Sequence, residues 1–177
     1  MMDRAFWNQK KGFLTGHTGF KGGWLATWLL DMKSHVFGYA LKPDTVPSYF
    51  SLCGLEDRMH SVVGDIRESD ALRLALGKSE AEIVIHMAAQ PLVRRSYRDP
   101  VETFATNVMG TVHLLEAARR SPSVRVVIIV TSDKCYENRE QALGHREEEQ
   151  LGGHDPYSAS KGCAELVTAA YRWSFFE

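Results

Sequence analysis

The sequence predicts an α/β fold, a doubly wound parallel sheet. Five short apolar runs recur along its 177 residues, and most lack the period-two alternation of a half-buried strand. Helical patterns separate most of these runs, so each strand has a crossover helix before the next, as a parallel sheet requires. A glycine-rich turn joins the first run to the first helix, where a doubly wound sheet places its ligand crevice.

Residues 12–15 form the first strand and 20–32 the first helix, with Trp24, Leu25, Trp28 and Leu29 on an apolar face. Residues 36–41 form the second strand. Two prolines and no periodicity make 43–56 a loop. Residues 60–63 are the third strand. A helix over 69–77 points Leu72 and Leu76 inward and stops at Gly77. Residues 83–86 are the fourth strand. Pro100 opens the longest helix, 100–121, and Pro122 closes it. Residues 124–131 are the fifth strand. The polar stretch 138–154, with Glu147, Glu148 and Glu149, reads as solvated surface. Asp155 caps and Pro156 opens a last helix running to about Phe175.

Length and an ordinary balance of apolar and charged residues fit one domain, 1–177, with a real core. A net charge of −1 gives no electrostatic case for nucleic acid. No apolar run is long enough to span a bilayer, and the first eleven residues lack the apolar region of a signal peptide. Cys53, Cys135 and Cys163 are odd in number and unpatterned, which reads as reduced thiols and a cytoplasmic location. The seven histidines show no metal-ligand spacing, so no metal site is expected.

Gly16, Gly19 and Gly22 let the backbone turn sharply and approach a pyrophosphate. The following helix start, at Phe20 and Lys21, offers unpaired N–H groups to phosphate oxygens. This is a Rossmann-like dinucleotide site. Downstream, Tyr157 and Lys161 stand four residues apart on one helix face. A free phenol ionises near pH 10, but a nearby ammonium and a cationic nicotinamide both favour phenolate. Tyr157 is then placed to take a hydroxyl proton as hydride leaves the carbinol carbon. Ser132, after the fifth strand, hydrogen-bonds the same oxygen.

The Gly-x-x-Gly-x-x-Gly spacing, Ser132 and the Tyr157–Lys161 pair resemble the extended short-chain dehydrogenase/reductase family. The resemblance implies NAD as cofactor. It implies that Asp65 and Ile66 contact adenine, that Met87, Ala88 and Ala89 lie beside ribose and nicotinamide, and that Asn107 belongs to the site. One departure concerns the second strand, whose end, Ala40-Leu41-Lys42-Pro43, lacks the acid that grips a ribose 2′-hydroxyl. Lys42 there could instead favour a 2′-phosphate, so the residues themselves leave NAD against NADP open.

Segments 131–138, 15–25 and 88–94 resemble the family's sugar-nucleotide 4,6-dehydratases, most closely the branch acting on CDP-linked glucose. Such lyases oxidise C4, eliminate water across C5 and C6, and return hydride to C6. Most carry Asp-Glu where this chain has Asp133-Lys134. Lys134 is then the candidate base for the C5 proton, if desolvation or a neighbouring cation strips its own. Asp133 is the candidate acid for the C6 hydroxyl, the division of roles between the two staying open. Gln90 and Arg94 are candidates for sugar or phosphate contact. The resemblance further implies a nucleotide-sugar substrate, a homodimer through the helices at 100–121 and 156–175, and a smaller C-terminal substrate lobe. The chain stops at an aromatic run, 173–177, so that lobe is expected to be absent and the chain to be a fragment. A 4-epimerase or reductase on another sugar nucleotide, or an inert dinucleotide-binding module, are the competing readings.

Overall fold

The computed structural model describes residues 3–140 and 143–176. Residues 141 and 142 of the polar stretch, and Glu177 of the terminal run, lie outside the described residues. In chain order the elements are α1 (Arg4–Trp7), β1 (Lys11–Thr15), α2 (Phe20–Asp31), β2 (His35–Ala40), α3 (Tyr49–Leu52) and β3 (His60–Val63). There follow α4 (Ser69–Ser79), β4 (Ile83–His86), α5 (Val93–Arg98), α6 (Pro100–Phe104), α7 (Gly110–Arg119), β5 (Val126–Ile129) and α8 (Pro156–Phe175). These elements group into two compact units. One runs to Ala88 and adds His113–Ile129; the other is Ala89–Val112 with the residues from Val130 on.

The first unit holds the whole sheet. All five strands are parallel, in the order β3-β2-β1-β4-β5. Phe13, Tyr39 and Val84 point to one face and pack under Leu72 and Leu76 of α4 and Leu114, Ala117 and Ala118 of α7. Leu14, Val36, Ile83 and Ile85 point to the other face, under Ala26 and Leu29 of α2 and Phe50 of α3. Helices on both faces make the sheet doubly wound, as expected. Leu72 and Leu76 are fully buried, and each stabilises the fold by roughly 1.5–3 kcal/mol.

Several boundaries differ from expectation. Trp24 and Trp28 are 54% and 50% exposed, because α2 packs close to the sheet through Gly22, Gly23, Ala26 and Leu29 instead. Gly77 does not end α4; the helix runs on to Ser79 and Glu80 takes the left-handed terminal position at φ 48°. β5 is shorter than 124–131 and alternates, with Val127 and Ile129 packed and Val126 and Ile128 exposed. The loop 43–56 contains α3, capped by the Ser48 hydroxyl accepting from Ser51 N at 3.1 Å.

The expected 100–121 helix becomes α6, a π-helical segment Ala105–Met109 and α7, ending at Arg119. Asp99 starts it by accepting from Glu102 N at 3.1 Å, with Pro100 in the first turn. α8 begins as expected, Asp155 accepting from Ser158 N at 2.9 Å. The polar stretch is closed at its base by an antiparallel bridge between Tyr136 and Leu151 and by Gly152 N donating to Cys135 O at 2.7 Å. That closure returns the chain beside residues 132–135 just before α8 starts.

Candidate active site

The strand order reverses direction between β1 and β4, and Thr15 at the end of β1 lies opposite His86 at the end of β4. An open α/β sheet holds its ligand at such a point. The glycine turn follows Thr15. Gly16 has φ +76°, and a Cβ there would lie 2.7 Å from Ala88 N. A Cβ on Gly22 would lie 2.1 Å from Gly16 O. Both contacts demand glycine, which lets the turn press against the segment after β4. Gly19 is the N-cap of α2 and offers no side-chain cap. The first N–H groups of α2, at Phe20, Lys21 and Gly22, therefore get no cap from the Gly19 side chain, which suits a phosphate-bearing ligand.

Thr15 supplies a contact that sequence reasoning missed. Its fully buried hydroxyl accepts from Met87 N and Ala88 N, both at 3.1 Å, and pairs with His86 Nδ1 at 2.7 Å. A hydroxyl accepting twice donates its one proton to His86, fixing that imidazole as the Nε2–H tautomer. Met87 and Ala88 are thus held against the turn, where the resemblance places the cofactor. The only local signal was a hydroxyl ahead of the first glycine. Asp65 is placed after β3, but its carboxylate is engaged by Arg67, which donates from N at 2.9 Å and from Nε at 3.0 Å. The Arg67 hydrogen bonds hold the Asp65 carboxyl below its usual range against the opposing effect of burial. The Ile66 side chain is buried in the core, and its carbonyl lies 3.1 Å from His113 Nδ1.

The second unit carries the remaining residues. Gln90 is buried and its amide is spent internally: Nε2 donates to Leu92 O at 3.2 Å and Thr103 Oγ1 at 3.0 Å, and Oε1 accepts from Leu92 N at 2.8 Å. It shapes the chain between Ala89 and α5 rather than presenting a free amide to sugar. Asn107, buried in the π-helical segment, accepts from Gln90 N at 2.8 Å and donates to Gln90 O at 3.1 Å and Ser160 Oγ at 2.8 Å. It is a tie between the π-segment and α8, and a π-bulge often marks a functional region. Ala89 is half-buried beside Gln90, and Arg94 is exposed on α5.

Tyr157 and Lys161 stand on one face of α8 and are 8% and 7% exposed. Tyr157 N donates to Ser96 Oγ at 3.1 Å, locking the first turn of α8 to α5. Burial pushes the phenol up from its ordinary value, the Ser132–Tyr157 hydrogen bond pulls it down, and Asp133 and Asp155 push it up again. Burial pushes the Lys161 ammonium down, with Glu165 opposing, and Nζ donates to Val130 O at 3.4 Å. Within the chain itself, burial together with Asp133 and Asp155 therefore favours the neutral phenol; the expected phenolate also calls on the positive charge of a bound nicotinamide. Ser132 caps the short 3-10 turn Asp133–Cys135, accepting from Lys134 N at 3.2 Å and donating to Asp133 Oδ1 at 3.0 Å. Asp133 and Lys134 are both exposed. The burial expected to make Lys134 a base is therefore not supplied by the described residues. For Asp155, burial opposes the charge, yet bonds from Ser158 and the nearby Lys134 cation hold its carboxyl below the usual range.

A family model described as GDP-mannose 4,6 dehydratase matches residues 13–176. The chain belongs to this family. A CDP-glucose 4,6-dehydratase from Salmonella typhimurium is 57% identical over 176 residues, which cover 99% of this chain and 49% of the relative. Among solved structures, a dTDP-glucose 4,6-dehydratase from Streptomyces venezuelae with NAD bound superposes with a TM-score of 0.82 at 26% identity. That match covers 93% of this chain and 52% of that one. A UDP-glucose 4-epimerase from Brucella ovis in complex with NAD gives a TM-score of 0.81 at 25% identity, covering 94% of this chain and 49% of that one. The chain spans about half the length of the dehydratase and epimerase relatives it matches. Membership fits the extended short-chain dehydrogenase/reductase resemblance carried by the glycine turn, Ser132, and Tyr157 with Lys161.

Proposed function

We propose that this chain is the cofactor-binding and catalytic part of an NAD-dependent CDP-glucose 4,6-dehydratase, a lyase of nucleotide-sugar metabolism. The observation that carries the proposal is 57% identity to such an enzyme across 99% of the chain, with Asp133 and Lys134 attached directly to Ser132. The glycine turn fits a dinucleotide because its glycines leave room that a Cβ would fill and α2 offers uncapped N–H groups. Gly16, Gly19, Phe20, Lys21 and Gly22 would hold the pyrophosphate, Asp65 and Ile66 the adenine end, and Met87, Ala88, Ala89, Tyr157 and Lys161 the nicotinamide end. NAD, when bound, supplies a hydride acceptor and a positive charge. Tyr157 takes the C4 hydroxyl proton, and Ser132 orients that oxygen. The new C4 ketone makes the C5 proton acidic; Lys134 removes it and Asp133 protonates the C6 hydroxyl, which leaves as water, after which the hydride taken from C4 is returned to C6 and Lys134 returns a proton to C5. Arg94 is left exposed to meet substrate phosphate.

The same proposal places the protein in the cytoplasm as a homodimer, without membrane or nucleic-acid partners. Three free cysteines support a reducing compartment, and no helix among the described residues is long and apolar enough to cross a membrane. Exposed Val101, Phe104 and Met109 along the α6 region, and Leu166 and Trp173 on α8, support self-association. The test is incubation with NAD and CDP-glucose. A 4-keto-6-deoxy product is expected. Interconversion of C4 epimers without loss of water would favour an epimerase, and cofactor binding without turnover an inert module.

A further inference from the structure

We infer that Lys42 lets the cofactor site take NADP as well as NAD, by pairing with the adenosine 2′-phosphate; this rests on the cofactor reading above. Gly16 N donates to Tyr39 O at 3.0 Å, and Thr18 Oγ1 donates to Leu41 O at 2.8 Å. These two bonds tie the end of β2 to the glycine turn, so residues 40–42 border the ground that the adenosine ribose occupies in dinucleotide sites. An acid at that border grips a 2′-hydroxyl and repels a 2′-phosphate; a cation there attracts the 2′-phosphate and does not repel the neutral hydroxyl. Ala40 is buried and has no polar side-chain atom. Leu41 and Lys42 are exposed, and Lys42 has no ion pair among the described residues. Asp44, the next carboxylate in the chain, lies beyond Pro43 and is exposed.

The neighbouring strand end points the same way. Gly64 N donates to Ala40 O at 2.9 Å, which brings the Asp65 segment alongside. Its Asp65 carboxylate is engaged by Arg67, whose Nε donates to Oδ2 at 2.9 Å. His17, in the turn itself, is buried and neutral and adds no charge. Residues 40–42, the strand end itself, therefore present one cation and no acid.

Calorimetric titration of the folded full chain with NAD+ and with NADP+ tests this. The two affinities should agree within about tenfold, and Lys42→Asp should shift their ratio against NADP+ by roughly 10–100-fold. Added salt should weaken NADP+ more than NAD+. NAD+ binding with NADP+ excluded, or a ratio unmoved by Lys42→Asp, overturns the inference and leaves the cofactor site standing. Failure of both nucleotides to bind overturns the cofactor reading and this inference with it.

Discussion

His17 sits inside the glycine turn with its side chain fully buried. Its ring packs edge-on to Phe50 at 5.3 Å, its Nε2 pairs with Ser61 Oγ at 2.7 Å, and its Nδ1 has no hydrogen-bond partner among the described residues. Burial lowers its pKa from 6.5 to about 4, because no carboxylate compensates the charged form. The unfolded chain protonates this histidine near pH 6.5, whereas the folded chain keeps it neutral until about pH 4. Between those values the unfolded state binds more protons, so stability falls as pH falls. The loss attributable to His17 is about 2 kcal/mol at pH 5 and about 3 kcal/mol at pH 4. His17→Gln keeps a polar side chain that does not titrate. Urea unfolding of both proteins should show wild type losing its advantage by about 2.5 kcal/mol between about pH 7 and about pH 4.5. A gap between the two that stays constant within about 0.5 kcal/mol across that range would refute the reasoning.

Other perturbations reach the turn and the catalytic groups. Gly16→Ala places a methyl group 2.7 Å from Ala88 N at φ +76°; it should cost roughly 1–3 kcal/mol of stability and weaken dinucleotide binding, read by thermal unfolding and titration. Tyr157→Phe should lower the rate of C4 oxidation by roughly 10²–10⁴-fold while cofactor binding persists, read by single-turnover reduction of the nicotinamide. Lys134→Ala should leave C4 oxidation partly intact and block elimination, so a reduced cofactor accumulates without 6-deoxy product. If hydride transfer and elimination fall together in that variant, Lys134 has no separate role as base.

The parallel sheet was readable because β1, β2 and β4 are buried on both faces and their apolar runs are nearly unbroken. The glycine turn and the Asp155 cap were readable because both are local: a few residues at set spacing fix the backbone. The i, i+4 pairing of Tyr157 with Lys161 is local too. What stayed hidden depends on partners distant in sequence. Asn107 meets Gln90 and Ser160 across separations of 17 and 53 residues, and no pattern near position 107 announces the π-segment. The Thr15 hydroxyl meets Ala88 N from 73 residues away. Trp24 and Trp28 lie on an apolar face of α2 yet are exposed, because the small residues Gly22, Gly23 and Ala26 decide which face approaches the sheet. The burial that raises the Tyr157 phenol is likewise tertiary, so the i, i+4 spacing does not show it.

The central claim is oxidation at C4, elimination, and return of the same hydride to C6. It is tested most directly with CDP-glucose carrying deuterium at C4 in place of hydrogen. The account predicts a 4-keto-6-deoxy product bearing that deuterium at C6, seen by NMR. Recovery of deuterium at C4 in an epimerised sugar, or a 6-deoxy product with the label lost to solvent, would contradict it.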